Sequence, residues 1–123
     1  MKTLSTHTAA AALGVEKKTL DNILAREARP FFRSGSRGRS RRIPISVIER
    51  IAVALILNRD LGTPVARGLE LAKNLIDENS SQTAAGPLTT VAFDVGRLRK
   101  TLERSVDDAL ESMAEPIRGR PAA

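Results

Sequence analysis

Seven arginines fall between Arg26 and Arg42, against a single acid, Glu27. A guanidinium is always charged and presents a planar fork of N–H donors, a geometry that matches phosphate oxygens. Within this run Arg33, Arg41 and Arg42 flank the glycine-containing stretch from Ser34 to Ser40, which itself holds Arg37 and Arg39. Ahead of it, Lys17, Lys18, Thr19 and Asn22 lie close together. Lysine serves phosphate or guanine, and asparagine can pair bidentately with adenine. Both groups suit a nucleic acid. Residues 1–50 carry 11 basic and 4 acidic side chains, whereas residues 51–123 carry 9 and 10. Positive potential is thus concentrated at one end of the chain, as a polyanion-binding surface requires.

Catalytic and metal chemistry find little to work with. The chain has no Cys, and His7 is its single histidine, so thiolate sites, disulfides and imidazole clusters are excluded. Asp107, Asp108, Glu111 and Glu115 fall on the polar side of a helical pattern, where solvated carboxylates are the ordinary reading. Gly35 and Gly38 do not open a helix, so a loop that cradles a nucleotide's phosphates is not supported. No enzymatic activity, metal or cofactor is expected. The longest apolar run, Ile51 to Leu57, is far short of the roughly 20 residues that span a bilayer, and Met1 to Leu13 lacks the features of a signal peptide. A cytoplasmic, nucleoid-associated protein is expected.

The elements that must position these groups are mainly helical. Ser5 precedes an alanine-rich run that ends at Gly14, which reads as an N-cap, two helical turns and a glycine stop. From Glu16 to about Arg26, Leu20, Ile23 and Leu24 recur at helical spacing and leave the polar residues exposed. Short helix, glycine turn, short helix is a DNA-binding unit, and its second helix touches bases with its N-terminal half. Phe31 to Arg33 and Arg41 to Pro44 then read as two short strands around an arginine-tipped loop, a wing. Phe31 and Phe32 are expected in the core rather than against bases. A third helix, capped by Ser46, runs from Val47 to Asn58 and ends at Leu61-Gly62; Thr63 caps a fourth with Pro64 at its first position.

The order helix, helix, wing, helix, helix, over about residues 4–77, resembles the DNA-binding domain of the mercury-resistance-regulator (MerR) family. The resemblance rests on Ala10, Leu13-Gly14-Val15, Thr19-Leu20, Arg41-Arg42, Glu49-Arg50-Ile51 and Leu61-Gly62. It implies a winged helix-turn-helix that binds DNA as a dimer, with the second helix in the major groove and wing residues on the flanking backbone. The chain departs from the family pattern at Asp21-Asn22-Ile23 and at Ile43. Excisionases and small terminase subunits of phages are similar winged domains.

Four segments follow: a winged helix-turn-helix at 1–77, a linker at 78–87, a strand plus amphipathic helix at 88–115, and a basic flexible tail at 116–123. The strand centres on Val91 and Phe93; the helix stripe comprises Leu98, Leu102, Val106, Ala109, Leu110 and Met113. A lone strand and an apolar stripe both need partners, supplied either by a second copy of the chain or by packing back on the winged domain. A small-molecule sensor is not expected in these remaining residues. Ile117 to Pro121 resembles the Arg-Gly-Arg-Pro core of an AT-hook, which would add Arg118 and Arg120 as minor-groove contacts. The expectation is a sequence-specific double-stranded DNA-binding regulator acting as a homodimer. The alternative is a protein-interaction module, such as an antitoxin or a phage packaging or excision adaptor, whose C-terminal segment binds another protein.

Overall fold

The computed structural model describes residues 3–26 and 42–122, with side chains for 3–26 and 42–112. In chain order the elements are β1 (Thr3–Ser5), α1 (Thr6–Leu13), α2 (Lys17–Arg26), β2 (Arg42–Pro44), α3 (Ile45–Leu61), α4 (Val65–Asp77), β3 (Gln82–Gly86), β4 (Thr89–Ala92) and α5 (Val95–Ala122). The chain is mainly helical, with two small antiparallel sheets, β1 on β2 and β3 on β4.

Local chemistry accounts for most boundaries. Ser5 caps α1, its hydroxyl oxygen accepting from Thr8 N at 3.2 Å. Gly14 ends α1 at φ +74°, a left-handed conformation that costs glycine nothing. Gly62 ends α3 in the same way at φ +72°. Two caps differ from expectation. Helix α3 starts at Ile45 with Pro44 as its N-cap, so Ser46 sits in the first turn and caps nothing. The N-cap of α4 is Pro64 rather than Thr63. In both cases an extended proline already turns the chain into the helix, and the carbonyl oxygen of Thr63 instead accepts from Asn58 Nδ2 at 2.9 Å.

Helix α3 is the centre of the molecule. Val47, Ile48, Ile51, Ala52, Val53, Ala54 and Leu57 are all buried, so apolar groups face outward from it in several directions. One cluster joins Leu4, Ile43, Ala9, Ala10, Leu20, Ile23 and Leu24 to the Val47, Ile48 and Ile51 face of α3. A second joins Ala52, Val53 and Leu57 to Leu71, Ala72, Leu75 and Ile76 of α4. The α3–α4 crossing is close because Gly68 has no side chain: a Cβ there would lie 3.0 Å from Ala54 Cα. Arg50 adds an ion pair to Asp77 at 2.6 Å across the same helices.

Two corrections concern the C-terminal third. The expected linker contains β3, which pairs with β4 in the register Thr83↔Val91, so the strand is not alone. Thr83 is buried and accepts from Asn74 Nδ2 at 3.3 Å, while Arg67 Nη2 donates to Ala85 O at 2.6 Å; these bonds fasten to α4 a segment that lacks apolar periodicity. The apolar stripe of α5 is also covered from within the chain. Leu102 and Val106 join Ala9 and Ala10 in the first cluster, and Leu98 joins the second. Val91 and Phe93 pack partly buried against that second cluster. Of the side chains expected to dimerise, Leu110 alone is exposed among the described residues, and Met113 lies outside the described side chains.

Arg99 clamps α5 in place. Its guanidinium lies 3.4 Å from Glu49 Oε2 on α3, donates to Asn79 Oδ1 at 2.7 Å and reaches Ile76 O at the end of α4. Asp94 caps α5, accepting from Arg97 N at 2.9 Å. The helix continues to Ala122, through the segment expected to be a flexible tail.

The packing makes two expectations measurable by chemical denaturation. Gly68→Val forces α3 and α4 apart and should cost about 1–3 kcal/mol. Leu102→Ala should cost about 2–5 kcal/mol, independent of protein concentration, because its neighbours lie within one chain; an effect that appears only at low concentration would place Leu102 between chains.

Candidate functional site

Helix α2 displays the polar groups singled out by the sequence. At roughly 100° per residue, buried Leu20, Ile23 and Leu24 define its inner face. Lys18, Asn22 and Arg26, spaced four apart, form a line on the opposite side, and all three are exposed. Thr19 is exposed beside them. The N-terminal turn contains no acid, so the positive end of the helix dipole and the lysines act in the same direction. Asp21 is compensated by Lys17, whose Nζ lies 3.1 Å from Asp21 Oδ2. Lys17 stays exposed while making this surface pair, and Lys18 is exposed beside it.

The rigidity of this display comes from behind it. Gly14 N donates to Ala11 O at 3.2 Å and Val15 N to Ala10 O at 3.0 Å, which fixes the turn between α1 and α2. Leu20 is fully buried against α1 and α3 residues of the first cluster. A face anchored in this way presents its side chains in constant register, as recognition of a surface demands.

Arg42 sits at the start of β2, exposed, with Nε donating to Thr3 Oγ1 at 3.3 Å and Nη2 to Thr3 O at 3.2 Å. It ties the two strands of its sheet together, a structural task beside the expected one. Arg33, Arg37, Arg39 and Arg41, with Phe31 and Phe32 and the first strand of the expected wing, lie outside the described residues. So do the side chains of Arg118 and Arg120. The 27–41 segment is joined to α2 at one end and to β2 at the other, so its arginines are tethered to the unit that carries Lys18 and Asn22. Sequence reasoning counted Arg26 as charge alone; its position eight residues after Lys18 and four after Asn22 was the signal that it shares their face.

Among the described residues no group of three or more His, Asp or Glu could hold a metal ion. A recess of about 270 Å³ between the α1–α2 turn, α3 and α5 is lined mostly by apolar groups, among them Leu13, Val15, Leu55, Ile56 and Leu98. The shifted titrations belong to neighbours on the last turn of α3: hydrogen bonding to Arg59 lowers the pKa of the Asp60 carboxyl, and that of Arg59 rises in return. Neither belongs to α2. No helix among the described residues is long and apolar enough to cross a membrane.

A face that serves recognition and not folding tolerates substitution. Lys18→Gln and Asn22→Gln should change unfolding free energy by no more than about 0.5 kcal/mol, whereas Leu20→Ala should cost about 2–5 kcal/mol; thermal and chemical melts measure both. Comparison with protein-family models, with curated proteins and with solved structures finds no match for the chain.

Proposed function

We propose that the chain is a sequence-specific double-stranded DNA-binding protein, a small transcriptional regulator built on a winged helix-turn-helix. The observation that carries this reading is the outward line Lys18, Asn22 and Arg26 on a helix whose other side is locked into the core. The order of described elements, a short strand, helix, glycine turn, helix, then a strand leading into two packed helices, supports this reading. The arginines of the 27–41 segment supply phosphate contacts, and Asn22 and Lys18 supply base contacts in the major groove. Arg42 contributes to the backbone contacts from the edge of its sheet. The +7 carried by the first fifty residues attracts the duplex before any base is read.

The test separates positioning from reading. Selection from a random duplex library should yield a preferred sequence, and affinity for it should fall with salt at a log-log slope of about −0.9 per phosphate neutralised. Asn22→Ala or Lys18→Ala should each reduce discrimination between that sequence and random DNA by about 1–3 kcal/mol, the worth of one bidentate reading of a base. Arg39→Ala or Arg41→Ala should weaken both duplexes alike and flatten the salt slope. An absence of duplex binding at low salt would overturn the proposal; equal weakening on specific and random DNA for the helix variants would overturn the assignment of α2. A partner protein that co-purifies in constant ratio, together with no selected sequence, would favour the interaction-module alternative.

A further inference from the structure

Lys18, Asp21, Asn22 and Ala25 stand at successive spacings of three, one and three along α2, which places all four on one face of the helix. Ala25 follows Lys18 by seven residues and so lies within about 20° of it around the axis. Buried Leu20, Ile23 and Leu24 occupy the opposite side. Ala25 is exposed, as Lys18 and Asn22 are. The other exposed residues of α2 are Lys17, Thr19 and Arg26, so Ala25 is the one apolar group on the displayed side of this helix. A methyl neither donates, accepts nor carries charge; what it offers a ligand is the exclusion of water from another apolar group. It is also short. Between Asn22 and Arg26 a flat surface can come close to the helix backbone, where a second long side chain would hold it off.

Resting on the reading of the chain as a duplex-binding protein, we propose that the Ala25 methyl packs on the 5-methyl group of a thymine, at the base pair next to the adenine read by Asn22. Among the base edges of the major groove, thymine's carries the apolar group. Ala25 lies three residues beyond Asn22, about 4.5 Å along the helix. Successive bases of one strand are about 3.4 Å apart, so the neighbouring pair is the one in reach. Asn22 and Lys18 hold the helix in register by hydrogen bonds, and Ala25 then discriminates without making any. Cytosine at that place presents a bare C5 and an amino donor, which the alanine leaves unsatisfied. The preferred duplex therefore contains a thymine beside the adenine, a preference that neither lysine nor asparagine supplies.

The experiment measures the affinity of the full chain for its selected duplex with each thymine replaced in turn by deoxyuridine, which lacks only the 5-methyl group. One replacement, beside the adenine whose discrimination is lost in Asn22→Ala, should weaken binding by about fourfold, the worth of one buried methyl. In Ala25→Gly the same replacement should have no effect. Glycine also loosens a helix, so Ala25→Gln, which keeps a good helix former, is the second variant. It too should be indifferent to the replacement, and a repeated selection should change the preferred base at that pair and at no other. Three outcomes would overturn the inference while leaving duplex binding intact: no thymine beside that adenine, no cost of deoxyuridine to the parent, or an equal cost to the parent and both variants. Absence of selective binding to any duplex would overturn the reading beneath it as well.

Discussion

The packing of α5 across the alanine face of α1 is the contact on which the arrangement depends. Ala9 and Ala10 add almost no bulk, so Leu102 and Val106 can reach the cluster that also holds Leu20, Ile23 and Leu24. Larger residues at those two positions would hold α5 off and leave its stripe open to water. With α5 behind α1 and the hydrophobic residues of α2 turned inward, the polar side of α2 is left outermost. The outward face of α2 is thus a consequence of where small side chains were placed on its neighbour.

Arginine does two kinds of work in this molecule. Arg50, Arg67 and Arg99 are structural, each joining separate elements through a carboxylate or a carbonyl oxygen. They lie on α3, α4 and α5, where basic and acidic residues are nearly balanced. The first fifty residues hold 4 acids against 11 basic groups, and of those groups Arg50 reaches beyond them to Asp77. Lys17 takes Asp21 and Arg42 takes Thr3, while Lys18 and Arg26 remain directed outward. The imbalance follows from which residues the chain can satisfy internally.

Much of this was legible in the sequence wherever a single residue dictates the local backbone. Ser5, Gly14 and Gly62 mark helix ends because a hydroxyl cap or a left-handed φ is a local property. The inner face of α2 followed from the spacing of three apolar residues. Features that depend on a distant partner were hidden. Strand β1 is three residues long and exists because Leu4 lies against Ile43. Strand β3, Gln-Thr-Ala-Ala-Gly, has weak strand preference and is held by Arg67, Asn74 and its pairing with β4. Periodicity gave the stripe on α5 but could not name what covers it. The Ser46 and Thr63 caps were misplaced because Pro44 and Pro64 make the turns that cap residues usually make.

The union of α1 with α5 also has a cost in time. Ala9 and Ala10 meet Leu102 and Val106 from some ninety positions further along the chain. Contacts of such long sequence separation form late, because loop closure must come first. As the protein is synthesised, α1 to α4 emerge from the ribosome while the stripe that seals them is still inside the tunnel or untranslated. During that interval the small-residue face of α1 is open to solvent. Alanine is well suited to the wait, since an uncovered patch of methyl groups is far less prone to stick to other chains than one built from leucine or phenylalanine.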